Sequence, residues 1–217
     1  RLSLSLHTGQ GSILWSVILL TTCLSLLFFM YTGFAMALKR RKKVTTEAPL
    51  LNKDECEFIL LVGSETGTTN DFATLFQNAL TKAGKRVYKS ELNQYTSYRK
   101  AAHIIVFTAT YGDGEAPTNA RKFFERFPTV PINTKINYCV VGFGSLIYPD
   151  YCKFASEVDH IFKTSNDFTT TLPLYKINNQ SFSAFMDWAS QWSGVTGVKI
   201  NINAPKKDKK PLKTLPF

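Results

Sequence analysis

The heptapeptide GSETGTT, residues 63–69, follows the apolar run FILLV and opens a segment of helical periodicity. Ser64, Thr66, Thr68 and Thr69 bring hydroxyls, Gly63 and Gly67 allow a tight turn, and the first helical turn offers free N–H groups. Together these make a seat for a phosphate. The segment has no lysine or arginine, so it is neither a GxxxxGK[ST] nucleotide loop nor a GxGxxG turn. A seat built of neutral donors suits a monophosphate beside a redox centre, because it adds no positive charge that would stabilise negative charge there. The same residues also describe a capped strand-to-helix turn, so the loops that accompany it decide between the two.

Two such loops follow. TATYGDGEAPTNA, residues 108–120, sets Gly112 and Gly114 where a backbone can approach a planar ligand, Tyr111 where a ring can stack, and Asp113 and Glu115 as negative charge beside it. GFGSLIYPDY, residues 142–151, repeats the pattern with Gly142, Gly144 and then Tyr148 at an expected helix start. One aromatic from each of two neighbouring loops can sandwich a flat ring. A glycine-rich turn with an exposed tyrosine, and a tyrosine packing at a helix start, are the plainer alternatives.

The elements that would carry these loops are regular. Apolar, β-rich runs at 58–62, 86–92, 103–108, 136–143 and 170–177 alternate with helical patterns at 69–83, 117–127, 148–162 and 181–192. The link between the second and third runs leaves room only for a brief helix near 95–99. This alternation predicts an α/β fold, a doubly wound five-stranded parallel sheet. In such a sheet ligands lie at the carboxyl ends of the strands, where the three loops fall.

Ahead of the domain, residues 13–38 read ILWSVILLTTCLSLLFFMYTGFAMAL without a charge, longer than the roughly 20 residues a bilayer crossing takes. The basic run KRRKK at 39–43 follows it, which places the C-terminal side in the cytoplasm by the positive-inside rule. The predicted organisation is an extracytoplasmic segment at 1–12, a transmembrane helix at 13–38, a basic juxtamembrane linker at 39–56, the folded domain at 57–194 and an exit linker at 195–217. A chain that begins at Arg1 and ends in LKTLPF is expected to be part of something longer.

The 217 residues are 44% hydrophobic and 13% aromatic, enough for one folded domain with accessory segments. Net charge is +10, yet between residues 54 and 203 fourteen Lys/Arg balance fourteen Asp/Glu, and the excess sits in the flanks, in KRRKK, in KKDKK at 206–210 and in a few single residues. A neutral domain between basic flanks argues against a nucleic-acid partner. Cys23, Cys56, Cys139 and Cys152 have no CxxC spacing and read as reduced thiols. His103 and His160 have no partner at metal-ligand spacing and read as structural, so no metal is expected.

GSETGTT, TYGDGEAPTNA and GFGSLIY, in that order after strands one, three and four, resemble the FMN-binding domain of the diflavin reductases, the group of cytochrome P450 reductase and sulfite reductase flavoprotein. The likeness spans about 57–194 and reaches FMDWASQW, which is similar to the family's F-x-x-W-x-x-Q pattern. It implies a flavodoxin-like fold in which Ser64, Glu65, Thr66, Gly67, Thr68 and Thr69 enclose the FMN phosphate. It further implies that Ala109, Thr110, Tyr111, Gly112, Asp113 and Gly114, with Gly142, Phe143, Gly144 and Tyr148, border the isoalloxazine, Tyr111 and Tyr148 stacking on its two faces. Glu65 stands where relatives carry a neutral amide and is expected to turn away from the phosphate or to offer only its N–H. Ser145, Leu146 and Ile147 replace a polar triplet, and INNQ at 177–180 replaces an acidic segment associated with docking soluble haem partners, which sets a P450-like partner in doubt.

The segment LHTGQGS, the apolar helix and KRR resemble the last helix of PepSY-associated membrane reductases. That resemblance implies upstream membrane helices, a lipid environment in the cytoplasmic (inner) membrane and a possible haem with His7 as candidate ligand, although an interfacial polar histidine fits the same position. Taken together, the two resemblances imply a membrane-tethered FMN domain. NADPH would deliver hydride to FAD on a domain downstream of Phe217, single electrons would pass to FMN, and the acceptor would be a membrane haem or a ferric chelate. A backbone carbonyl in the 111–114 or 142–144 turn is expected to accept a hydrogen bond from flavin N5–H. No residue stands out as a general acid, base or nucleophile. The alternatives are a sulfite-reductase-like module serving a cytoplasmic partner and a cofactor-free scaffold. A signalling receiver of the same fold would need an acidic pair after strand one, where this chain has hydroxyls and glycines.

Overall fold

The computed structural model describes residues 13–43, 51–132 and 134–202, with side chains in the first stretch as far as Ala37. His7, the side chains of KRRKK, the linker at 44–50 and the tail from 203 lie outside the described residues. The chain divides into two compact units, Arg1–Leu50 and Leu51–Phe217.

In the first unit, helix α1 (Ile13–Lys43) runs five residues past the expected end of the apolar segment, into the basic run. Its stretch Ile13–Ala37 has mean hydropathy 2.3 and is long and apolar enough to cross a membrane. Thr21, Thr22, Ser25 and Thr32 donate their hydroxyls to carbonyls three or four residues earlier, at 2.8–3.0 Å, so these groups need no water.

The second unit is built on strands β1 (Phe58–Gly63), β2 (Val87–Glu91), β3 (His103–Ala109), β4 (Ile136–Gly144), β5 (Phe168–Thr170) and β6 (Tyr175–Asn178). They form one parallel sheet in the order β2-β1-β3-β4-β5, and β6 also pairs with β4. β5 lies beside 136–138 and β6 beside 141–144, so the two short strands share the fifth position. A single strand at 170–177 was expected. Pro173 has no N–H to give a ladder, and the chain leaves the sheet after Thr171, whose N–H reaches the Tyr138 carbonyl at 2.7 Å.

Helices α2 (Thr68–Lys82), α3 (Phe123–Arg126), α4 (Lys153–Thr164) and α5 (Phe182–Thr196) cover both faces. That is why β1 and β4 are almost wholly apolar rather than alternating. α2 and α5 bury Phe72, Phe76, Phe185, Trp188 and Trp192 against Phe58, Leu60, Phe107 and Val141. α4 buries Phe154, Val158 and Phe162 against Ile59, Ile104, Tyr138 and Val140 on the other face.

Two expected helices are shorter than their patterns. Between Pro117 and Arg121 the backbone bonds to the loop after β2: the Asn93 N–H donates to the Asn119 carbonyl at 2.9 Å, and the Lys122 N–H to Asn93 Oδ1 at 2.7 Å. Only Phe123–Arg126 is left for α3, followed by a 3₁₀ turn, Phe127–Thr129. The pattern at 148–162 starts late because Pro149 disfavours a helical residue before it, and Cys152 enters α4 with a left-handed φ of 55°. Tyr148 therefore lies in a turn, not at a helix start. The brief helix expected near 95–99 falls instead at Leu92–Gln94.

Candidate functional site

The order 2-1-3-4-5 reverses direction between β1 and β3, the point where such sheets bind ligands. The loops after β1, β3 and β4 meet beside it. After β1, Gly67 caps α2 in a left-handed conformation, φ 93°, with no side chain covering the helix N-terminus. Its own N–H turns back to Ser64 Oγ at 3.0 Å, and Thr66 and Thr68 hold their hydroxyls 3.3 Å apart on the surface. Thr69 is buried under the first turn. Gly63 serves packing: a Cβ there would stand 2.3 Å from Thr108 Oγ1.

Two braces tie this loop to the next. Ser64 donates its N–H to Asn119 Oδ1 at 2.7 Å. Glu65 accepts the Thr118 N–H at 2.7 Å and the Thr118 hydroxyl at 3.0 Å, so its carboxylate faces Thr118. The Thr118 backbone N–H is the main reason the Glu65 pKa lies below its ordinary value, with Arg121 adding a smaller pull.

The second loop is a narrow hairpin. Tyr111 and Glu115 exchange backbone bonds at 3.0 and 2.8 Å, closed by Gly112 and Gly114 with φ of 51° and 98°. Tyr111 and Tyr148 are 48% and 55% exposed, and among the described residues no aromatic ring packs on either. Thr110 Oγ1 is buried without a hydrogen-bond partner.

The loops after β3 and β4 also brace each other. Thr110 donates its N–H to the Phe143 carbonyl at 3.0 Å, and Gly114 packs so closely that a Cβ would lie 2.7 Å from the Lys153 side chain and 3.0 Å from Asp150. Asn178 and Asn179 clamp the third loop from the end of β6: Asn178 Oδ1 accepts the Leu146 N–H at 3.0 Å, and the Asn179 N–H reaches the Gly144 carbonyl at 2.8 Å.

The structure gives three of the expected site residues a packing role. Gly142 and Gly144 are small because of α4: a Cβ at Gly142 would sit 2.7 Å from the Ala155 Cβ, and one at Gly144 3.0 Å from Cys152 Sγ. The Phe143 ring is core, 5.0 Å from Phe72, so this residue meets the loops only through its backbone. The carbonyls of Tyr111, Phe143 and Gly144 already accept backbone bonds. Those of Gly112, Asp113 and Gly114 accept no backbone bond among the described residues, and that of Gly142 lies within the β4 ladder, while each bonded carbonyl keeps a second lone pair. Thr118, Asn119, Asn178 and Asn179 hold the loops together, and their sequence signal was only that of turn formers.

The family model for flavodoxin matches residues 60–192. The chain belongs to the flavodoxin family. The chain is 27% identical over 136 residues to NADPH oxidoreductase A of Dictyostelium discoideum, covering 60% of this chain and 21% of that protein. It is 30% identical over 112 residues to the inducible nitric oxide synthase of Oncorhynchus mykiss, covering 51% and 23%. With the sulfite reductase [NADPH] flavoprotein alpha-component of Neisseria meningitidis it shares 28% over 108 residues, covering 48% and 18%. The chain thus spans about a fifth of these relatives' length. Its fold is that of the Streptococcus pneumonia TIGR4 flavodoxin, with TM-score 0.54 and 23% identity, covering 64% of this chain and 97% of that one. Membership implies FMN binding, and makes the second unit a flavodoxin-like electron-transfer domain related to oxidoreductases.

Proposed function

We propose that this flavodoxin domain holds FMN between the loops after β1, β3 and β4, is tethered to the cytoplasmic membrane by α1, and relays single electrons. The donor would be an FAD/NADPH reductase module, and the acceptor a membrane haem or a ferric chelate. The cross-bracing of the three loops is the observation that carries the reading, because loops held to one another would present a phosphate seat and a ring slot with little rearrangement. The unpartnered Thr110 hydroxyl fits a bound ligand, since buried hydroxyls rarely lack a partner.

Ser64, Thr66, Gly67, Thr68 and Thr69, with the uncovered N–H groups of α2, would hold the phosphate without a cation. Glu65 takes no part in that contact except through its N–H, and positions the loop by its hold on Thr118. Ala109 to Gly114 and Gly142 to Tyr148 would border the ring, Tyr111 and Tyr148 stacking on it and a carbonyl among Gly112, Asp113 and Gly114 accepting its N–H. Asp113 and Glu115 would oppose added negative charge at that place. When bound, FMN supplies the redox chemistry, exchanging electrons singly or in pairs.

The relatives include an NADPH oxidoreductase and an NADPH sulfite reductase flavoprotein, which supports the donor module. The length and hydropathy of α1 support the tether. The whole chain, purified in detergent, is expected to be yellow and to release one equivalent of FMN on denaturation. A dithionite titration should then resolve two one-electron stages. A colourless chain that takes up no added FMN would overturn the reading.

A further inference from the structure

We propose that the N-terminal edge of the sheet is a lipid-facing surface that rests on anionic headgroups in the pose that turns the flavin loops toward the donor module, a pose the domain leaves to meet a membrane acceptor. This goes beyond the proposed function and rests on one part of it, the reading of α1 as a membrane span.

The segments that enter the strands are stitched into one edge: the Phe58 N–H bonds to the Arg86 carbonyl at 3.2 Å, the Ala102 N–H to Glu57 at 2.9 Å, and the Ile136 N–H to Asp167 at 2.9 Å. Helices running back over a parallel sheet end on this edge too, so Lys82, the last residue of α2, shares a shallow cleft with Lys199 from beyond α5. Three lysines near the edge are matched within the domain, Lys53 with Asp54 at 3.5 Å, Lys85 with Glu57 at 3.5 Å and Lys163 with Asp159 at 2.6 Å. Lys82, Arg86, Arg99, Lys100, Lys135 and Lys199 are exposed on the edge, with no acidic partner among the described residues. Only Glu55 and Asp167 stand against them there.

The opposite end carries Glu65, Asp113, Glu115 and Asp150 on the loops after β1, β3 and β4, with Glu91 closing β2, against Arg121, Lys122 and Lys153, so it has no basic excess. The domain is neutral as a whole, yet its charge is divided between the two ends of the strands. The six residues of β1 set those ends about 17–20 Å apart, beyond the Debye length of about 8 Å at physiological salt, so a charged surface near one end does not feel the other.

The partner follows from the covalent structure. The folded unit begins at Leu51, on the basic edge, and eight covalent steps from Lys43 reach at most about 29 Å. Anionic lipid on the cytoplasmic leaflet is therefore always within reach and at high effective concentration. The described chain continues through Asn201, which lines the same cleft as Lys82 and Lys199, to the buried Ile202, and the basic KKDKK follows in the sequence. A free polyanion such as RNA has the charge but no such proximity.

The test uses the whole chain in nanodiscs of phosphatidylcholine alone or with three-tenths phosphatidylglycerol, read by the acetylation rate of each lysine. Anionic discs are expected to slow Lys82, Lys100, Lys135 and Lys199 by about threefold or more, an effect lost at high salt. Lys122 and Lys153, at the loop end, should not change. The double variant Lys100→Glu, Lys135→Glu should lose the protection at Lys82 and Lys199 while keeping its FMN. Equal rates in both discs, protection at Lys153 instead, or protection produced by RNA but not by phosphatidylglycerol would overturn the proposal. Alkaline carbonate distinguishes the two readings: a chain released from the discs loses the membrane span and this surface with it, whereas a chain that stays without lysine protection loses only the surface.

Discussion

Glu65 has the one side chain in the loop after β1 that carries a full charge, and the structure gives that charge a task. Its two bonds to Thr118 join the loop after β1 to the loop after β3. Glu65→Ala is expected to weaken FMN binding about tenfold, the scale of one charge-assisted bond, read by fluorescence titration. Glu65→Gln should cost less, since its amide oxygen still accepts the Thr118 N–H. Because the folded-state pKa is lowered, chiefly by that N–H, the brace is present above the ordinary carboxylate pKa and disappears as pH falls through the lowered value. The sequence placed Glu65 in the loop and expected it to turn away. It could not name Thr118 as the partner, because a contact across 53 residues leaves no local pattern.

At the scale of elements, β4 is the strand most constrained by its neighbours. Gly142 and Gly144 leave room for α4, so Gly142→Ala is expected to destabilise the domain by about 1–3 kcal/mol, seen as a lower urea midpoint at unchanged slope. The alternation of apolar runs and helices was legible because the central strands β1, β3 and β4 are buried on both faces and read as nearly unbroken apolar runs. What was not legible came from single residues overriding a pattern. Asn93 drew the backbone at 117–122 out of helix, Pro149 and Cys152 delayed α4, and Pro173 split the fifth strand. The spacing of Gly142 and Gly144 was visible in sequence, but their packing against Ala155 and Cys152 depends on where α4 lands.

For the whole molecule, His103 links stability to pH. It stacks on Phe58 at 4.9 Å at the basic edge, and burial pulls its pKa down, with Glu57 opposing. The unfolded chain therefore takes up the proton first. Stability is full above the ordinary imidazole value of about 6.5 and declines as pH falls below it toward the lowered folded value. His103→Gln should flatten the thermal midpoint between pH 7 and 5. The count of fourteen against fourteen charges made the domain look featureless in sequence, because a count has no ends; only the sheet sorts the residues that precede strands from those that follow them.

The broken fifth strand matters for crowding. A domain held at a surface meets copies of itself far more often than a free one does, and sheet edges are where such copies join into larger aggregates. Here that edge offers only three residues in β5 and four in β6, separated by a turn containing Pro173. The far edge, β2, carries Lys89 and Glu91 within its five residues. Neither side gives a neighbouring copy a long ladder to extend, so a sheet held at a surface, as proposed for this one, would offer its copies little backbone to pair with.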